Sequence, residues 1–166
     1  MRPDEAITTA RERGLTIACA ESVTGGAVCS GLISVPGASD AVAGGVVAYT
    51  IAAKTAVLGV DAAVIDRYGV VSEEVALAMA IRAQTLFGAD VGVGTTGAAG
   101  PTGHGGRSAG TVCVASVGPA GIFRATTVHK GTRAGVREAA VADALDVLGK
   151  ALGDTRPQEL TDLEQP

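Results

Sequence analysis

Tryptophan is missing from this chain of 166 residues, and only two phenylalanines and two tyrosines supply aromatic rings. The core must therefore be packed from Ala, Val, Leu and Ile, whose small side chains let backbone elements approach one another closely. Runs of lysine or arginine are missing too. With 13 basic against 17 acidic residues the formal charge is −4, which excludes the basic face that duplex-binding proteins use to neutralise phosphates, so no nucleic-acid partner is expected. The uncharged, glycine-rich stretch from Ala41 to Ala53 falls short of the roughly 18 apolar residues that span a bilayer, and no membrane partner is expected. The opening MRPDEAITTARERG carries acids and lacks the apolar segment of a secretory signal, so a cytoplasmic location is expected. The three cysteines, Cys19, Cys29 and Cys113, show neither CxxC nor zinc-ligand spacing; they read as reduced core residues, and no metal or cofactor is expected.

Glycine, by contrast, is abundant, at 24 residues. It clusters at Gly25-Gly26, at Gly44-Gly45 and between Gly92 and Gly110, where tight turns or close backbone approach to a ligand would require it. That distribution favours a binding protein over a linker.

Pro3 followed by Asp4 and Glu5, with Gly14 beyond, predicts a helix over about 3–13. LTIACA at 15–20 predicts a buried strand, and a helix is expected over 26–34 before Pro36-Gly37. GGVVAYT at 44–50 predicts a second strand, followed by a helical turn at 52–58. Ser72-Glu73-Glu74 opens a helix that Gly88 stops. ADVGVGTT at 89–96 is a third strand; 110–117 and 122–129 predict a strand pair joined by a hairpin turn at 118–121. A last helix is expected over 133–152, and 153–166 is a polar tail expected to fray. Strands alternating with helices and closed by one hairpin predict an α/β fold: a three-layer α/β/α sandwich with a mixed, mostly parallel sheet and one antiparallel strand, as a single domain over 1–152. Small apolar residues on helix faces suit a homodimer or higher homo-oligomer.

In such sheets the loops beyond the strand carboxyl ends line the ligand crevice. The loops concerned are 21–26, 49–54 and 95–106. Ser22 lies at a strand-to-helix corner, and three roles fit it: a helix cap, part of a phosphate cradle, or a nucleophile beside backbone N–H donors. Thr24 shares the capping role, and Gly25 and Gly26 would let a substrate approach. His104 and His129 read as solvent-facing, which leaves Lys54 as the base. No acid stands near it, and burial among Ala, Val and Ile would lower its pKa toward a useful range; as a surface side chain it would instead snorkel. Tyr49 would either orient the pair or anchor a strand end. TTGAAGPTG, with Thr96, Gly97 and Gly100, suits phosphate or ribose contacts without being a P-loop. Arg133 and Arg137, one turn apart, would either clamp a phosphate or serve as helix-surface charges.

AESVTGG at 20–26, VPGAS at 35–39, GGVVAYT with AAK across 44–54, GVVSEEVALAMA at 69–80, TGAAGP at 96–101 and GTRAGVREAA at 131–140 together resemble the C-terminal domain of the competence-damage-inducible protein CinA. The likeness extends to about residue 150, and the chain looks like the stand-alone, nicotinamide-nucleotide amidase (PncC) type. The resemblance implies hydrolysis of the carboxamide of nicotinamide mononucleotide to nicotinic acid mononucleotide and ammonia, without a metal. It implies Ser22 as nucleophile, Lys54 as base, Tyr49 as an assistant, backbone N–H groups near Thr24 to Gly26 for the oxyanion, and nucleotide contacts from Thr96 to Pro101 and from Gly131 and Arg133. Where the family commonly reads YSNEAK, this chain has Ile51 and Ala52 for the Asn and Glu, and the usual AESCTGG cysteine is Val23. The alternative is a catalytically degenerate relative that binds a nucleotide or phosphate.

Overall fold

The computed structural model describes residues 1–153, so the tail expected to fray lies outside the described residues apart from Gly153. Five strands, β1 (Ile17–Glu21), β2 (Val42–Val47), β3 (Val91–Gly97), β4 (Thr111–Gly118) and β5 (Gly121–Val128), form one sheet in the order β2-β1-β3-β4-β5. β1 is parallel to both β2 and β3, whereas β4 is antiparallel to β3 and β5. Four strands thus point one way and β4 alone the other, as the alternation of elements predicts. The hairpin closes through two residues, with Gly118 opposite Gly121.

Helices cover both faces. Side chains alternate along β1, so Ile17 and Cys19 enter a core shared with α1 (Pro3–Glu12), α2 (Ala27–Ile33) and α5 (Arg133–Leu152). Ala18 and Ala20 face the opposite core, under α3 (Ala62–Tyr68) and α4 (Glu73–Phe87). Period-two alternation is what divides one strand between two cores. The scarcity of rings is met by close approach. In β3, Val91 and Val93 fill the first core, while Gly92 and Gly94 face α4 so tightly that a Cβ on either would collide with the carbonyl oxygen of Ala80 or Ala76.

α4 begins where expected: Ser72 Oγ accepts from the Val75 N–H, Glu73 and Glu74 occupy the first turn, and Gly88 ends the helix in a left-handed conformation. Besides shifts of one or two residues at other element ends, β2 and α3 differ from expectation. β2 runs from 42 to 47 rather than 44 to 50, because the chain leaves the sheet after the Ala48 N–H bonds Glu21 O. α3 was not expected; its signal is Asp61, whose side chain accepts from Ala63 N–H and caps a segment too short to show periodicity. Among the described residues no helix is long and apolar enough to cross a membrane.

Candidate active site

The carboxyl ends of β1, β2 and β3 converge on a cavity of about 640 Å³ lined by Ser22, Tyr49, Lys54, Thr96, Gly97 and Arg133, among others. At its floor, Lys54 is 1% exposed and Ser22 7%. Lys54 Nζ lies 2.8 Å from Ser22 Oγ and donates to Ala48 O at 2.8 Å. A π-helical turn over Ala53–Val57 carries the lysine inward from the end of β2; such turns are frequent at functional sites. Among the described residues no ion pair involves the buried ammonium. Burial alone lowers its pKa from 10.5 to about 8.

The corner that presents Ser22 is held from three sides. On the sheet side, Ser22 N–H donates to Thr95 O, and Thr24 Oγ1 pairs with Thr95 Oγ1 at 2.8 Å. On the helix side, the buried Glu21 carboxylate accepts N–H bonds from Gly26, Val28 and Cys29 at 2.8, 3.1 and 2.8 Å, so it occupies the positive start of α2. From α5, Arg137 donates through Nε to Val23 O at 3.1 Å and through Nη2 to Thr24 O at 2.8 Å.

Several sequence-based expectations change in consequence. Arg133 and Arg137 do not form a paired phosphate clamp, because Arg137 is turned onto the corner's carbonyls. Arg133 stands on the cavity rim, with Nη1 on Gly100 O at 2.9 Å and Nη2 on the Tyr49 hydroxyl at 2.6 Å. The Tyr49 hydroxyl thus bonds Arg133 rather than Ser22 or Lys54. Gly25 and Gly26 do not line the cavity; both have positive φ, and their N–H groups bond Ser22 O and Glu21 Oε2. Val23, next after Ser22, lines the cavity instead, and its N–H has no acceptor among the described residues. Thr24 is fully buried beneath the corner. Thr96 lines the cavity while its hydroxyl donates to Val70 O at 2.8 Å. Gly100 belongs to a neighbouring cavity that shares Arg133.

His104 is exposed on the cavity rim. His129 is not solvent-facing: it lies part-buried, its Nε2 2.7 Å from Asp143 Oδ2. Cys19 and Cys113 are buried and free as expected, whereas Cys29 is only half-buried. Glu21 and Thr95 were missed as site residues. An acid at a strand end just before a helix start was the available signal for Glu21.

The family model of the CinA C-terminal domain matches residues 3–152. A CinA-like protein of Mycolicibacterium vanbaalenii is 49% identical over 142 residues, 84% of this chain and 33% of that protein. A CinA-like protein of Anaeromyxobacter dehalogenans is 45% identical over 151 residues, 90% of this chain and 37% of the relative. This chain therefore spans about a third of the length of these curated relatives. Among solved structures, a competence or damage-inducible protein from Enterobacter asburiae superposes with a TM-score of 0.85 at 30% identity, covering 92% of this chain and 99% of that one. A CinA superfamily protein from Klebsiella pneumoniae gives 0.83 at 31%, covering 93% and 99%. Matched in sequence from α1 to the end of α5 and in fold across nearly the whole of solved relatives, the chain belongs to the CinA C-terminal domain family.

Proposed function

We propose that this chain is an amidohydrolase that deamidates nicotinamide mononucleotide to nicotinic acid mononucleotide and ammonia through a Ser22–Lys54 dyad. The observation that carries this reading is the buried lysine, without a carboxylate partner among the described residues and 2.8 Å from a serine hydroxyl at a strand-to-helix corner. A surface lysine would keep its ordinary pKa; this one, lowered to about 8, holds roughly a tenth of its population neutral at pH 7.

In that form Nζ accepts the Ser22 proton as Oγ attacks the carboxamide carbon. The Val23 N–H, next after the nucleophile and without an acceptor among the described residues, is the donor this mechanism assigns to the developing oxyanion. Lys54 then returns the proton to the leaving nitrogen, ammonia departs, and water hydrolyses the acyl-serine. Ile51, Val70, Ala98 and Ala99 give the cavity apolar walls suited to a pyridine ring, and Arg133 on the rim suits the phosphate. Ile51 and Ala52 also favour the second reading, because two positions beside the base present no polar group to the substrate.

Purified protein is incubated with nicotinamide mononucleotide, and ammonia and nicotinic acid mononucleotide are measured together. Turnover that disappears in folded Ser22→Ala and Lys54→Ala variants is the expected result. Nucleotide binding without turnover would replace the amidase with the degenerate binder.

A further inference from the structure

Two of the three cysteines converge on one point of the backbone. Cys19 of β1 stands opposite Gly45 in the β1–β2 ladder. A Cβ on Gly45 would lie 2.9 Å from Cys29 Sγ, 3.1 Å from Cys29 Cβ and 3.3 Å from Cys19 Cβ, so both side chains pack against the same bare residue. The two side chains are therefore neighbours across Gly45. Cys19 is completely buried, whereas Cys29, in the first turn of α2, is partly exposed. The neighbouring Cys19 lowers the Cys29 thiol to about 7, while Cys29 and burial together hold the Cys19 thiol well above its ordinary value. A reachable thiol with thiolate character beside a protected second thiol is the arrangement of an oxidisable cysteine and its resolving partner. Cys113 lies in the other core, where burial raises its thiol.

We infer that Cys29 and Cys19 form a peroxide-responsive dithiol that closes a disulfide around the Ser22 corner. The Cys29 thiolate attacks one oxygen of a hydroperoxide; the O–O bond breaks, leaving Cys29 sulfenic acid and releasing hydroxide or an alkoxide. The Cys19 sulfur then attacks the sulfenic sulfur, the S–O bond breaks, and the Cys19 proton leaves with the oxygen as water. The two sulfurs have given two electrons to the peroxide.

The disulfide encloses residues 20–28, which include Ser22 and the Gly26 and Val28 amides that hold Glu21. Bonded sulfurs sit about 2.05 Å apart, well inside any thiol–thiol contact, so the start of α2 is drawn toward β1. A displacement on the order of 1 Å at a reacting centre costs about 10²-fold in rate. This part of the inference rests on the amidase reading: oxidation stops turnover and a dithiol reductant restores it.

The test treats the whole chain with hydrogen peroxide, blocks remaining thiols, and maps the digest by mass spectrometry. A peptide pair joined through Cys19 and Cys29, free thiols falling from three to one, and reversal by dithiothreitol are expected. Cys19→Ser should leave Cys29 as a dimedone-reactive sulfenic acid, and Cys29→Ser should give no cross-link. Hydrogen exchange over residues 20–28 should differ between the oxidised and reduced protein. Turnover should fall at least tenfold on oxidation in the wild type and not in Cys29→Ser. Cys29 unmodified, or carried to sulfinic acid with Cys19 still free, overturns the dithiol. A cross-link that changes neither exchange nor turnover overturns its coupling to the corner. Because the cross-link and exchange readouts need no substrate, failure of the amidase reading would appear separately, as an untreated wild type without turnover.

Discussion

Replacing Lys54 by methionine measures the buried amine without reference to any substrate. In the unfolded chain the lysine titrates at its ordinary 10.5, and in the folded protein burial lowers it to about 8. Between those values the unfolded state binds more protons, so the wild type gains stability with rising pH across this window. Below about pH 8 the lysine is protonated in both states, and the folded protein carries nearly the whole cost of an ammonium held 1% exposed with no counter-ion among the described residues. A separation of about 2.5 pK units corresponds to about 3 kcal/mol, of which less than about 1 kcal/mol remains at pH 10. Methionine has a similar length and no charge. The donors lost to Ala48 O and Ser22 Oγ add an offset that does not vary with pH. The expected result, from urea unfolding at pH 7, 8, 9 and 10 under reducing conditions, is a wild-type-minus-variant stability that rises by about 2.5 kcal/mol over the series. Other titrating groups cancel in the difference. A flat difference would mean that Lys54 is solvated in solution, and the base assignment would fall with it.

The same pKa requires kcat/KM for the amidase to rise about tenfold from pH 7 to pH 9 and then level off, with an apparent pKa near 8; a profile flat over that range would remove Lys54 from the role of base. Tyr49→Phe removes the hydroxyl that accepts from Arg133 Nη2, and an exposed hydrogen bond of about 0.5–1.5 kcal/mol predicts a KM increase of roughly 2–12-fold at nearly constant kcat. A hundredfold loss of kcat would restore the tyrosine as a proton relay. Glu21→Gln turns one acceptor oxygen into a donor against the α2 amides and should lower stability by roughly 2–4 kcal/mol, read as a fall in Tm. Gly94→Ala places a methyl group against the Ala76 carbonyl and 2.8 Å from Ala80 N, and should cost more than about 3 kcal/mol. Gly14→Ala, with nothing within 4 Å but φ at +63°, should cost only about 1–2 kcal/mol.

Much of the layer order was legible because it is written in local pattern. Ser72 with two acids and a glycine stop marks α4; apolar runs closed by Gly118-Pro119-Ala120-Gly121 mark the hairpin. What α4 does with its small residues was not legible, since Ala76 and Ala80 matter only once Gly92 and Gly94 lie beneath them. Sequence alone groups the glycines between 92 and 110 with turns and ligand approach. The first two instead admit a helix, a distinction that depends on which strand face each occupies.

The site divides along a similar line. Lys54 could be singled out because its neighbourhood in sequence lacks an acid, and a charge without a local partner must find solvent, a distant partner or a lowered pKa; the fold selects the third. Arg137 could not be assigned in this way. Its partners, Val23 O and Thr24 O, are more than a hundred residues away and are backbone atoms, so no side-chain chemistry announces them. Yet the need for such a residue follows from the corner itself. Gly25 and Gly26 adopt positive φ to turn the chain from β1 into α2, and glycines that permit this conformation do not enforce it. Glu21 fixes the amides on one side of the turn, and Arg137 fixes the carbonyls on the other. With both in place, Ser22 Oγ is held at Lys54 by bonds to the backbone around it, and the flexibility that makes the corner possible does not reach the nucleophile.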